Sequence, residues 1–223
     1  MQLFLLLFFT LSLYASEGEE IYKNACVSCH AIDGKSSNNL AFLVKPRKLS
    51  LTILRNQQSF AITKEGAHFW GAHSDIMPSF KYLLTDKQIH SVTDYISKTF
   101  NPNIEKKIAK LMQSSQQLTL LQRENRLQLG EKIFKKTCAL CHGIKGDAKS
   151  EYVSASKENK TFIYPYNLTR TLLDEEQIFL YAKYGGLYWG TQKDNMQSWS
   201  SRYNDVALKS VAYYIQQKIK KLD

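Results

Sequence analysis

The chain repeats itself, and the repeat limits what it can fold into. Gly18-Glu19-Glu20-Ile21-Tyr22-Lys23 precedes Cys26, and Gly130-Glu131-Lys132-Ile133-Phe134-Lys135 precedes Cys138, an offset of 112. Further on the offset becomes 119, which pairs Pro46 with Pro165, Phe60 with Phe179, Gly66 with Gly185, Trp70 with Trp189, Gly71 with Gly190 and Met77 with Met196. Between residues 46 and 80, thirteen positions in thirty-five are identical at this offset. The register continues into Ser91-Val92 and Tyr95-Ile96, matched by Ser210-Val211 and Tyr214-Ile215. Copy two therefore carries seven extra residues between its cysteines and Pro165. Self-similarity at a fixed offset predicts two copies of one domain, residues 16–102 and 130–223, joined by residues 103–129.

Within each copy no run alternates with the period of two that a sheet requires, and the signals are helical. Thr85-Asp86 and Asn204-Asp205 read as N-cap sites for a last helix in each copy. In the connector, Ile104, Ile108, Leu111, Met112, Leu118, Leu121 and Leu127 recur at spacings of three, four and seven in places, which predicts a helical connector with one apolar stripe. The fold class expected is all-α, with long loops between short helices. Copies of under 100 residues have few apolar side chains to form an interior, so something besides the chain must fill the middle.

Each copy holds Cys-x-x-Cys-His: Cys26-Val27-Ser28-Cys29-His30 and Cys138-Ala139-Leu140-Cys141-His142, which use every cysteine present. Two thiols three residues apart on a helical turn can form thioethers with the two vinyl-derived carbons of one porphyrin edge. The next residue then offers its imidazole to the iron. A covalently held haem also supplies the missing interior. A thioredoxin-like redox pair would need a βαβ context, and a zinc site would need both cysteine pairs to converge. A disulfide across two intervening residues is strained and leaves the histidine without a role.

With these motifs in register, the chain resembles a two-domain dihaem member of the class I cytochromes c, small electron carriers. The resemblance covers both copies, but neither the N-terminal segment nor the connector. It implies two tandem domains of short helices wrapped around two covalently bound haem c groups, attached at Cys26, Cys29, Cys138 and Cys141. It also implies that the first and last helices of each copy pack together, with Tyr22 on Tyr95 and Phe134 on Tyr214. His30 and His142 would be axial ligands, with the sulfurs of Met77 and Met196 opposite. The two methionines lie 47 and 54 residues after their histidines, a difference equal to the insertion. His68, His73 and His90 leave bis-histidine ligation open in copy one, whereas copy two has no histidine besides His142. Pro46 and Pro165 would offer carbonyls to the axial histidines' Nδ1–H. Trp70 and Trp189 suit either a haem edge or plain core packing.

Leu3 to Ala15 is apolar and uncharged. At ~1.5 Å per residue it reaches ~20 Å, short of a ~30 Å hydrocarbon core, so residues 1–15 are expected to be a cleaved signal peptide rather than an anchor. That places the chain in a bacterial periplasm. Lys plus Arg exceeds Asp plus Glu by thirty to twenty, for a net charge of +10. Such a chain favours redox partners with acidic docking faces, or peripheral contact with an anionic membrane. Nucleic acid is a poor fit, since no basic–aromatic stripe is present. The function expected is single-electron transfer between a respiratory donor and a terminal oxidase or reductase, by a carrier and not an enzyme. The alternatives are the haem subunit of a larger oxidoreductase complex, or a dihaem redox enzyme such as a peroxidase.

Overall fold

The computed structural model describes residues 16–36, 46–72, 77–151, 153–154, 165–191 and 196–221. The signal-peptide expectation and His73 fall outside this set. Helices and turns account for the regular structure, and no strand occurs among the described residues.

Copy one opens with α1 (Glu17–Ile21), capped by the Ser16 hydroxyl, which accepts from the Glu19 N–H. A wide π turn (Tyr22–Cys26) leads into α2 (Val27–His30). A 3-10 turn (Leu49–Leu51) precedes α3 (Asn56–Glu65), and α4 (Asp86–Phe100) ends the copy. The Thr85 cap forms as expected: its hydroxyl accepts from the Gln88 N–H, while the Gln88 carboxamide oxygen accepts from the Thr85 N–H.

The connector is two helices, α5 (Ile104–Gln113) and α6 (Leu120–Ile133). The hydroxyls of Ser114 and Ser115 bond back to the carbonyls of Leu111 and Met112, which closes α5. A capping box at Thr119 and Gln122 then restarts the helix in a new phase. The single apolar stripe is therefore broken. Ile104 and Ile108 are buried and Leu111, Met112 and Leu127 pack on the core, but Leu121 is exposed. Moreover, α6 runs without interruption past Gly130, so it is also the first helix of copy two.

Copy two repeats the plan. A π turn (Phe134–Cys138) leads to α7 (Ala139–His142), then a 3-10 turn (Leu168–Arg170), α8 (Glu175–Tyr184), a 3-10 turn (Leu187–Trp189), and α9 (Asp205–Tyr214) with its π extension (Ile215–Ile219). Asn204 caps α9 by accepting from the Ala207 N–H.

First and last helices cross in each copy, α1 on α4 and α6 on α9. Glycine permits the approach: a Cβ on Gly18 would lie 2.0 Å from the Ser91 carbonyl oxygen, and one on Gly130 would lie 2.0 Å from that of Ser210. The aromatic pairs follow, with ring centroids 5.5 Å apart for Tyr22–Tyr95 and 5.4 Å for Phe134–Tyr214.

The copies meet across a seam that is nearly two-fold symmetric. The Lys48 N–H donates to the Gly190 carbonyl at 2.9 Å, and the N–H of Asn167, its counterpart at offset 119, donates to the Gly71 carbonyl at 2.9 Å. Gln58 donates to the Leu172 carbonyl and Gln177 to that of Ile53, each at 2.8 Å, and the two carboxamides bond to each other. Arg55 adds ion pairs to Glu105, Asp174 and Glu176 at the rim.

Candidate functional site

Each π turn ends on the first cysteine of its motif, Cys26 or Cys138, and the short helix that follows carries the second cysteine and the histidine. All four cysteines are free thiols and partly buried. Burial, with a smaller contribution from Cys29, pushes the Cys26 thiol up to about 11; burial, then Cys141, pushes Cys138 up to about 12. Burial also raises Cys141. A thioredoxin-like pair or a metal thiolate needs the opposite shift. Among the described residues no group of three or more His, Cys, Asp or Glu gathers where it could hold a metal ion, so the two cysteine pairs do not converge on a zinc site.

The histidines are held alike. His30 Nδ1 donates to the Arg47 carbonyl at 3.2 Å, and His142 Nδ1 donates to the Tyr166 carbonyl at 2.8 Å. This tautomer leaves Nε2 with its lone pair to offer a metal. Burial holds the His30 pKa below its ordinary 6.5, against a smaller opposing effect of the Arg47 carbonyl. The carbonyl expected here was the proline's own. It is that of the next residue: Pro46 and Pro165 are buried, and Arg47 and Tyr166 supply the oxygen. Positions 47 and 166 keep the same spacing from their prolines, but the two residue types differ, so no identity marks them.

Met77 and Met196 occupy equivalent loops. The Ala67 N–H donates to the Met77 carbonyl at 3.0 Å, and the Gly186 N–H to that of Met196 at 2.9 Å. Gly66 and Gly185 lie under these loops with φ of +82° and +79°; a Cβ there would come within 3.1 Å and 2.8 Å of the methionine carbonyls. Met77 is half-buried, and Met196 packs on the core. His68 is exposed, its Nδ1 donating to the Ala72 carbonyl at 3.1 Å, and His90 stacks on Phe60 at the surface. Trp70 and Trp189 donate to the carbonyls of Ala61 and Leu180 at 2.9 and 3.2 Å, so each indole fixes the helix that leads to its methionine loop.

Each copy thus presents two free thiols, one oriented imidazole and one glycine-backed methionine loop. This donor set fits a covalently attached haem and defines a c-type cytochrome with two domains. The family of cytochrome c oxidase, cbb3-type, subunit III matches at residues 14–96 and again at 125–215, and the chain belongs to that family. Its domains imply covalently bound haem c and electron transfer, one haem to each domain. Among solved structures, the chain is similar to a chain of the reducing HAO-like protein complex of Kuenenia stuttgartiensis, with 19% identity and a TM-score of 0.48 over 92% of this chain and 97% of that one. No curated protein matches significantly.

Proposed function

We propose that the chain is a periplasmic dihaem cytochrome c that carries single electrons between a respiratory donor and a terminal oxidase or reductase. One observation carries the reading: the whole arrangement of thiols, carbonyl-tied histidine and pinned methionine loop occurs twice. Cys26 and Cys29, and Cys138 and Cys141, would hold the two haems; His30 with Met77, and His142 with Met196, would complete the iron coordination. The bound group supplies a reversible Fe(III)/Fe(II) couple, with a potential raised by the thioether ligand.

The protein's own groups keep that couple simple. Arg47 and Tyr166 fix the imidazole planes through their carbonyls. The Gly66 and Gly185 turns hold the Met77 and Met196 loops close, and these methionines would occupy a position on the bound iron that a substrate would otherwise need. The excess of Lys and Arg favours acidic partners, with encounter rates that fall as salt rises. Among the described residues no helix is long and apolar enough to cross a membrane. A second reading has a specific observation in its favour: the matched family is described as an oxidase subunit, which suits a haem subunit bound permanently in a larger complex.

Two measurements test the proposal. Potentiometric titration of the purified protein should give two one-electron waves, and the reduced protein should not bind carbon monoxide. Rapid carbon monoxide binding at both centres would end the carrier reading. Fractionation from its native host as a free soluble chain supports the shuttle, whereas co-purification with a catalytic subunit supports the second reading.

A further inference from the structure

The peptide that ties down each axial histidine is also the peptide that crosses the seam. In copy one the Arg47 carbonyl accepts from His30 Nδ1 at 3.2 Å. The N–H of that same peptide belongs to Lys48, and it donates to the Gly190 carbonyl of copy two at 2.9 Å. In copy two the Tyr166 carbonyl accepts from His142 Nδ1 at 2.8 Å, and the N–H of that peptide, on Asn167, donates to the Gly71 carbonyl of copy one at 2.9 Å. Both peptides are trans, so their carbonyl and N–H point opposite ways. Each imidazole is thereby joined, through one peptide, to the backbone of the other copy. Two glycines keep the acceptors close. Gly71 and Gly190 have φ of +100° and +82°, and a Cβ would lie 2.4 Å from the Asn167 carbonyl oxygen at Gly71 and 2.7 Å from that of Lys48 at Gly190. The link is made of backbone, so it occurs twice although positions 47 and 166, and 48 and 167, differ in residue type.

We propose that the seam tunes the two redox centres crosswise: the Gly190 carbonyl of copy two adjusts the histidine ligand of copy one, and the Gly71 carbonyl of copy one adjusts that of copy two. The inference rests on the haem reading above. A peptide whose N–H donates is polarised, and its carbonyl becomes a stronger acceptor, by about 10–30% per bond. A stronger acceptor at Nδ1–H makes the imidazole a more basic ligand through its other nitrogen, which favours Fe(III) over Fe(II). On reduction each centre gains one electron from its redox partner, and the Nδ1 proton stays in place. Loss of a seam bond should therefore raise the potential of the centre whose histidine it supports, by about twofold to tenfold in the Fe(II) to Fe(III) ratio at a fixed potential. In copy one the Ser36 hydroxyl also donates to the Arg47 carbonyl, at 3.0 Å, which puts that centre at the lower end of the range. The seam groups touch no reacting atom and are positioning residues.

The test uses full-length, haem-loaded protein. The potential of each centre is followed from its haem methyl resonances in proton NMR, and Met77→His assigns them by shifting the copy-one set. Gly190→Ala should raise the copy-one potential and Gly71→Ala the copy-two potential, each moving the other copy's centre more than its own. Lys48→Pro and Asn167→Pro remove the donors themselves, at backbone φ of −70° and −75° that proline adopts, and serve if the glycine variants do not fold. Lys48→Pro should reproduce the Gly190→Ala shift, and the double variant should match either single one, because both break the same bond. Unchanged potentials in these variants, or shifts confined to the copy that carries the alanine, would overturn the proposal. A wild-type protein without two haem signals would instead overturn the functional reading, while slow exchange of the Lys48 and Asn167 amide protons would still report the crossed bonds.

Discussion

Replacing Gly130 with alanine sets two effects of opposite sign against each other. Gly130 lies inside α6 with helical backbone, where glycine is a weak helix former; alanine at an unobstructed site there should stabilise by about 1 kcal/mol. The site is obstructed. The new Cβ would lie 2.0 Å from the Ser210 carbonyl oxygen and 2.8 Å from Tyr214 Cβ. Neither neighbour can rotate away, since one is backbone and the other is the stem of a side chain on the same helix. Ordinary contact requires α6 and α9 to part by roughly 1 Å or more, and close-packed interiors resist such a change at a cost of about 1–3 kcal/mol or more. The parting also loosens Phe134, Val211 and Ala212, all nearly inaccessible in this crossing. The clash should win, leaving Gly130→Ala about 1–2 kcal/mol less stable. Urea unfolding followed by circular dichroism measures this, with exposed Gln128→Ala as the control for propensity. If Gly130→Ala were as stable as wild type, the helix crossing described here would be wrong.

Three further outcomes follow from particular contacts. In copy one the Tyr22 hydroxyl donates to the Ala31 carbonyl at 2.6 Å, while Ala31 is held at φ 59°, ψ 166°; copy two has Phe134 and Gly143 at these places. Ala31→Gly should therefore stabilise by about 1 kcal/mol and Tyr22→Phe should destabilise by about 1–2, both read from denaturant midpoints. Gln177 is fully buried and bonds to Ile53 and Gln58 across the seam and to the Asp174 N–H; Gln177→Leu should cost about 2–4 kcal/mol and split a shared calorimetric transition into two. Because the folded-state pKa of His30 is lowered, its contribution to stability is intact above pH 6.5 and lost as pH falls below that value. The urea midpoint of the haem-free chain should show this loss only below pH 6.5, and a loss beginning above that value would contradict the burial argument.

The parts of this molecule that depend on local pattern could be read from the chain. Spacing alone brought Cys26, Cys29 and His30 onto one turn, and the matching insertion paired Met77 with Met196. The Thr85 and Asn204 caps depend on a hydroxyl or carboxamide beside a helix start, which is a local rule. What escaped the reading depends on chain segments far apart in sequence. The choice of the Arg47 carbonyl over that of Pro46 turns on how one peptide faces an imidazole seventeen residues away. The seam was marked by the identities Gln58/Gln177 and Gly71/Gly190, but conserved spacing does not say whether two equivalent residues face their own copy or each other. The connector stripe failed for a similar reason: Thr119 resets the helical phase, so that Leu121 points outward.

The central claim is that each half of the chain holds one haem through its own pair of thiols. Intact-protein mass spectrometry of denatured material, in which only covalent attachments survive, tests it most directly. The account predicts a mass equal to the polypeptide plus two haems, falling by one haem when Cys138 and Cys141 are both replaced by serine. A bare polypeptide mass, or a single haem on the unaltered chain, would contradict it.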